Sequence, residues 1–237
     1  MTEACIIIPW RPHSSRQWGF RQVKSFYQTN FPEYPILIVD TNDPYFNLAG
    51  ARNFGVNEVK ARYGDIPCII TDADTIPEVK SIRSAVYLAD EAPGVVLPYT
   101  DYRSLRRAGT KQFRDGTPLD ECNAFVVDSA CSGVYVTTPS TWLSHYGQDI
   151  RFRGWGYEDA AWEAAHNTLI GPIRRIPGNV YSFYHESQRK DGRQFLLNAD
   201  LCNRYLQAQG DPIAMAALAK ETHIGTVVVS GKVVEHL

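Results

Sequence analysis

The apolar positions of this chain fall into two alternating kinds of run. Continuous stretches rich in β-branched residues occur at 4–10 (ACIIIPW), 34–43 (YPILIVDTND), 66–74 (IPCIITDAD) and 94–100 (GVVLPYT). Such runs predict strands buried on both faces. Between them, 14–30, 48–64 and 79–94 repeat their apolar residues at helical spacing. Ser14 or Ser15 is placed to cap the first helix, and Gly64 to close the second. The β-α-β alternation over the first 100 residues predicts an α/β fold with a mostly parallel, doubly wound sheet. Such sheets bind ligands beyond the carboxyl ends of their strands. Arg11, Asp40 to Asp43 and Asp72 to Asp74 fall at those ends.

The second half has a different pattern. Residues 101–123 are polar and read as a mobile surface loop, with Arg103, Arg106, Arg107, Lys111 and Arg114 making a basic stretch at 103–114. Residues 124–138 (AFVVDSACSGVYVTT) read as strand, small-residue turn, strand, and 139–147 as a short helix. Residues 152–170 make a glycine-rich, aromatic entry into a helix, and a short strand ends at His185. One or two helices span 194–223, split near Gly210-Asp211-Pro212, and 226–237 suggest a hairpin turning at Ser230-Gly231. That last segment could also pair with another chain's sheet edge. No repeat or linker interrupts the chain, which predicts one domain.

Composition narrows this only slightly. With 237 residues, 44% hydrophobic, 21% charged and a net charge of -2, the chain is ordinary globular material without a general nucleic-acid-coating charge. Its five cysteines form no CxxC pair, and Cys5 and Cys68 lie within apolar runs. Buried free thiols and a reducing compartment are expected. No leader peptide and no run of roughly 18 apolar residues is visible. A cytoplasmic setting, in a bacterial or phage-infected cell, is the expectation.

Four features could carry chemistry. Asp72 and Asp74 are one residue apart at a strand end, where i and i+2 side chains face the same way. They could share a hard divalent cation, or simply serve a turn and helix cap. Glu158 and Asp159 follow Gly154-Trp155-Gly156 and open a helix, where carboxylates are favoured in any case. His185 ends an aromatic strand, and is either structural or a third metal ligand, which Mn²⁺ would accept. Ser129 to Gly133 form a tight small-residue turn. No GxSxG, HExxH or Walker pattern is present.

Taken in order, ARNFGV, ITDAD, ACSGVYV, RGWGYED and YHES resemble the GT-A class of nucleotide-sugar glycosyltransferases. The likeness is greatest to family-two-like enzymes and to the galactosyltransferase type with its GWGxED box, over residues 4–188. The resemblance implies a nucleotide-binding half (1–100), an acceptor and catalytic half (101–190) with a smaller mixed sheet, and a C-terminal extension (191–237) of helices and the hairpin. It implies that Pro9, Trp10 and Arg11 lie near the base, that Asp40 contacts uracil or ribose, and that Arg52 and Asn53 approach the nucleotide or its diphosphate. Asp72 and Asp74 would bind Mn²⁺ or Mg²⁺, with His185 completing the site. Trp155, Gly156 and Glu158 would hold donor sugar and acceptor, and Asp159 would be the general base of an inverting enzyme.

The pattern departs from the family at Val134, where many relatives have a second glycine, and at Ala160 and Ala161, where further acidic residues are common. Those positions leave sugar and acceptor open. Retaining relatives carry a similar box, so inversion is the expectation, on the presence of Asp159, with retention as the alternative. The expected activity is transfer of a sugar, from a UDP-sugar, to an acceptor hydroxyl. The acceptor could be a glycan, a protein or hydroxymethylated DNA, with the basic stretch contacting either an anionic acceptor or the donor diphosphate. A nucleotidyltransferase, or a non-catalytic nucleotide- or carbohydrate-binding module of the same fold, is the alternative.

Overall fold

The computed structural model describes residues 3–186, 191–221 and 231–234. Its core is three parallel strands. β1 (Cys5–Pro9) pairs in parallel with β2 (Ile36–Thr41) on one side and β3 (Cys68–Thr71) on the other. All five residues of β1 are buried, as continuous apolar runs in a doubly covered sheet must be. Helices α1 (Gln17–Asn30) and α2 (Leu48–Tyr63) make the crossovers. Arg16 stands at the N-cap of α1 without a side-chain bond, so neither Ser14 nor Ser15 caps it. Asn47 caps α2 by accepting from the Gly50 amide at 2.8 Å. A Cβ on Gly55 would collide with Ile7, so this glycine lets α2 lie close on β1.

The parallel run stops sooner than the alternation suggests. After β4 (Thr75–Pro77) and α3 (Val79–Glu91), the chain forms β5 (Val96–Leu97), which does not adjoin β3. A later strand, β8 (Val134–Thr137), inserts between them, antiparallel to both. With β9 (Arg174–Arg175) beside β5 and β11 (Gly231–Val233) beside β2, the main sheet is mixed and runs β11-β2-β1-β3-β8-β5-β9. β11 pairs antiparallel with β2 of its own chain, Lys232 opposite Asp40. The expected hairpin partner of β11 lies outside the described residues.

A second sheet runs β4-β10-β6-β7, with β6 (Asp101–Ser104), β7 (Phe125–Val127) and β10 (Asn179–Ser182). The stretch expected to be a mobile loop therefore contains a strand, then helix α4 (Arg106–Arg114) and a short 3₁₀ turn (Leu119–Glu121). The two strands expected on either side of the Ser129–Gly133 turn do form, but in different sheets. Helix α5 (Pro139–Ser144) packs against α2, and α6 (Glu158–Leu169) sets Trp162 against Tyr135 of β8, with ring centroids 4.6 Å apart. Helices α7 (Arg193–Gln207) and α8 (Pro212–Lys220), which part at Asp211, pack on α6 around Phe152, Cys202, Tyr205 and Met215. All five cysteines are free and buried.

Candidate active site

The Asp72-Ala73-Asp74 step is where the two sheets meet. The Asp72 amide donates to the Gly133 carbonyl at 2.7 Å, which ties it to the small-residue turn before β8. The Asp74 carbonyl accepts from the Phe183 amide at 2.9 Å, which ties it to the end of β10. A Cβ on Gly133, at φ 88°, would press on Thr75 and Tyr102, so this turn needs its glycine. Three residues that are far apart in sequence are thereby brought to one edge.

His185 follows β10 and meets Asp74, with Nε2 at 3.0 Å from Oδ2. That hydrogen bond raises the imidazole's pKa against the opposing effect of its burial. Asp72 turns the other way. Its Oδ1 accepts from Arg52 Nη2 at 2.5 Å. Burial raises the Asp72 pKa, the Arg52 charge lowers it, and the negative charges of Asp74 and Asp159 raise it further.

Arg52 belongs to α2 and is fully buried. Its other terminal nitrogen, Nη1, reaches Gln148 Oε1 at 2.8 Å and Asp159 Oδ1 at 3.4 Å. The Tyr135 hydroxyl donates to the same Asp159 oxygen at 2.5 Å, and its ring lies 5.0 Å under the guanidinium. Neighbouring Glu158 is pushed up to about 7, first by burial and then by the Asp159 charge. A carboxyl group poised there exchanges protons near neutral pH.

Among the described residues, one side chain holds several backbone groups of the glycine-rich segment before α6, and Arg153 adds an ion pair to Asp43 at 2.8 Å. Asn198 of α7 is buried, and its amide donates to the carbonyl of Arg153 at 2.8 Å while its oxygen accepts from the Arg153 amide at 3.3 Å. Weaker donations reach the carbonyls of Trp155 and Gly156. Phe195 then stacks on Trp155 with centroids 6.1 Å apart and tilts against Tyr157 at 5.1 Å. Trp155 and Tyr157 stay partly exposed, so the site has an aromatic rim. Tyr157 adopts φ 74°, a left-handed conformation that costs a non-glycine residue about 1 kcal/mol or more.

The remaining expected donor contacts are held inside the protein. Trp10 is buried and stacked on Phe20 at 4.3 Å. Asn53 is engaged with the Gln148 backbone and the Trp142 indole. Asp40 is gripped by Arg11, Nε to Oδ2 at 2.9 Å, and Arg11 also bonds the carbonyls of Thr41, Asp43 and Pro44. Together with Pro9 at the end of β1, these residues shape the loop after β2. Tyr135, Gln148, Phe195 and Asn198 were not singled out from sequence. Tyr135 is one residue of an ordinary strand pattern, and the other three carry no motif.

The donor set suits a hard or borderline divalent ion. Asp74 and His185 offer oxygen and nitrogen side by side, Asp72 retains Oδ2, and the carboxylates repel one another. Among the described residues, no three His, Cys, Asp or Glu side chains converge on one point. An Mg²⁺-like or Mn²⁺-like ion held by one or two protein ligands relies on substrate phosphates for the rest of its shell.

No protein-family model and no curated protein sequence matches the chain. Solved structures do match in shape. The catalytic domain of Drosophila beta1,4-galactosyltransferase 7, solved with xylobiose, is 15% identical with a TM-score of 0.54, covering 84% of this chain and 80% of its own. A mutant of that enzyme with manganese, UDP-Gal and xylobiose is 14% identical with a TM-score of 0.53, covering 84% of this chain and 79% of its own. GalNAc-T7 with UDP, GalNAc and Mn²⁺ is 10% identical with a TM-score of 0.55 over 93% of this chain, which spans 55% of that structure. These likenesses establish a GT-A type of fold: an α/β architecture with a mixed seven-stranded sheet and a second, smaller mixed sheet.

Proposed function

We propose that this chain is a metal-dependent glycosyltransferase that moves a sugar from a nucleoside diphosphate sugar, a UDP-sugar, to an acceptor hydroxyl with inversion. The observation that carries the reading is the pairing of two separate carboxylate stations on one buried arginine. Asp72, next to the Asp74–His185 pair, lies on one side of Arg52, and Asp159 lies on the other. Such transfer needs those two roles: neutralisation of a diphosphate leaving group, and removal of a proton from the incoming hydroxyl.

Asp74 and His185, with the free oxygen of Asp72, would hold Mn²⁺ or Mg²⁺. When bound, the ion supplies Lewis-acid stabilisation of the departing diphosphate. Asp159 has one oxygen fixed by Tyr135 and Arg52, which leaves the other to accept the acceptor's proton. Glu158 orients that hydroxyl at the start of α6. The rim of Trp155, Tyr157 and Phe195 offers flat apolar faces against which a sugar ring can rest. Five free, buried thiols suit a reducing cytoplasm.

The test is a thermal-shift screen of nucleoside diphosphates and their sugars, with and without Mn²⁺, followed by product detection with the sugar that binds. A ligand specific to the folded state raises the midpoint by mass action. A shift for one nucleotide only in the presence of Mn²⁺, with turnover, supports the reading. Binding without donor hydrolysis or transfer turns it into a non-catalytic module, and no nucleotide binding at all defeats it.

A further inference from the structure

The resemblance places Arg52 against the nucleotide or its diphosphate, but the structure buries it completely. Its cationic head has three partners from three regions of the chain: Asp72 after β3, Gln148 in the segment before α6, and Asp159 in the first turn of α6. The guanidinium is shut off from solvent. Burying a charge in this way is costly unless it is paired and hydrogen-bonded, so its partners are fixed along with it.

We infer that Arg52 is a positioning residue that holds the acceptor-side carboxylate of Asp159 in register with the metal-side carboxylate of Asp72. This rests on the glycosyltransferase reading and deepens it. The guanidinium is planar and rigid, so it fixes the directions of the two carboxylates that it bridges. Tyr135 shares the task. Its hydroxyl and Arg52 Nη1 both end on Asp159 Oδ1, which aims Oδ2 outward, and its ring supports the guanidinium from below. Lysine could keep the charge but not the fork, because its ammonium is a point donor on a flexible stem.

The experiment compares wild type, Arg52→Lys, Tyr135→Phe, Asp159→Asn and the Tyr135→Phe/Asp159→Asn double variant. Acceptor transfer and nucleoside diphosphate binding are both measured with excess Mn²⁺, so that any change in metal affinity does not enter either readout. A positioning role predicts that kcat falls about tenfold or more in Arg52→Lys and Tyr135→Phe, while donor KM and diphosphate affinity stay within about twofold. Groups that act as a unit are non-additive, so Tyr135→Phe adds no further loss once Asp159 is Asn. A diphosphate affinity that collapses in Arg52→Lys would make Arg52 a direct ligand contact and overturn the inference. Full kcat in Tyr135→Phe, or additive losses in the double variant, would overturn it too. Where Arg52→Lys does not fold, the tyrosine arms decide alone. Wild type that turns over no donor sinks the glycosyltransferase reading itself, whereas wild-type turnover with additive losses sinks only the role given to Arg52.

Discussion

The imidazole rings of His145 and His166 meet edge to face, with centroids 5.1 Å apart and planes at 90°. Both are buried, among Trp142 and Trp162. Burial pushes His145 down to about 3, with the neighbouring His166 adding to the effect, and pushes His166 down to about 4, with Arg174 contributing. A base whose folded pKa lies below its unfolded value of 6.5 is neutral in the native state, while the unfolded chain takes up the proton. The stability held by the pair is therefore intact above pH 6.5 and drains away as pH falls towards the folded pKa values. By linkage, His145 alone withdraws about 2 kcal/mol between pH 7 and pH 5. Urea unfolding at these two pH values should show this loss, and His145→Phe, which keeps the aromatic packing, should shrink it. An unchanged pH difference in the variant would remove His145 as its source.

The Asp74–His185 pair makes a separable prediction. Both side chains are partly exposed, so Asp74→Ala and His185→Ala should fold with stability close to wild type. The Mn²⁺-dependent part of any nucleotide-induced thermal shift should vanish in Asp74→Ala and weaken in His185→Ala. A full Mn²⁺-dependent shift in Asp74→Ala would place the metal elsewhere.

Both the likeness of this site to its sequence pattern and the gaps in that likeness have physical causes. The three parallel strands were legible because a doubly buried strand must be apolar throughout, and Asp72, Asp74, Glu158, Asp159 and His185 were legible as polar residues at element ends. Helix α4 was not. Its basic residues leave almost no apolar period, and what holds it is tertiary: Arg106 over Phe125, Arg107 over Tyr184, Arg114 over Trp18, and Thr110 Oγ1 accepting from the Tyr184 amide. Arg52 was equally opaque. It looks like one more charge on a helix, and only the fold shows that its partners wait at Asp72 and Asp159.

Glu158 sets stability against activity. Its folded pKa near 7 exceeds the model-peptide value of 4.5, so the native state loses stability as pH rises between those values. Glu158→Gln should therefore be more stable than wild type at pH 8, by about 2 kcal/mol after allowing for solvent access, and indistinguishable from it near pH 4. Its transfer rate should fall and its acceptor KM should rise. A variant no more stable at pH 8 would mean that Glu158 ionises freely in the native state.

Asn198 tests whether the aromatic rim and the acidic turn behind it depend on one anchor. It touches neither candidate metal ligand nor carboxylate, yet its amide holds the carbonyls of Arg153, Trp155 and Gly156. Truncation to alanine removes this donor from the buried Gly156 carbonyl and from its partly buried neighbours, at a cost of about 1–3 kcal/mol. It also frees a segment that Tyr157 holds in a strained left-handed turn, so that turn is expected to relax and carry Glu158 with it. Asn198→Ala should thus lower the melting midpoint and raise acceptor KM, while Mn²⁺-dependent nucleotide binding, which depends on the opposite side of Arg52, stays unchanged. Asn198→Asp keeps the size but loses the donor and should reproduce the kinetic defect. Were both variants to keep wild-type acceptor KM despite a lowered midpoint, the anchor would serve stability alone and the rim would be held by its ring contacts with Phe195.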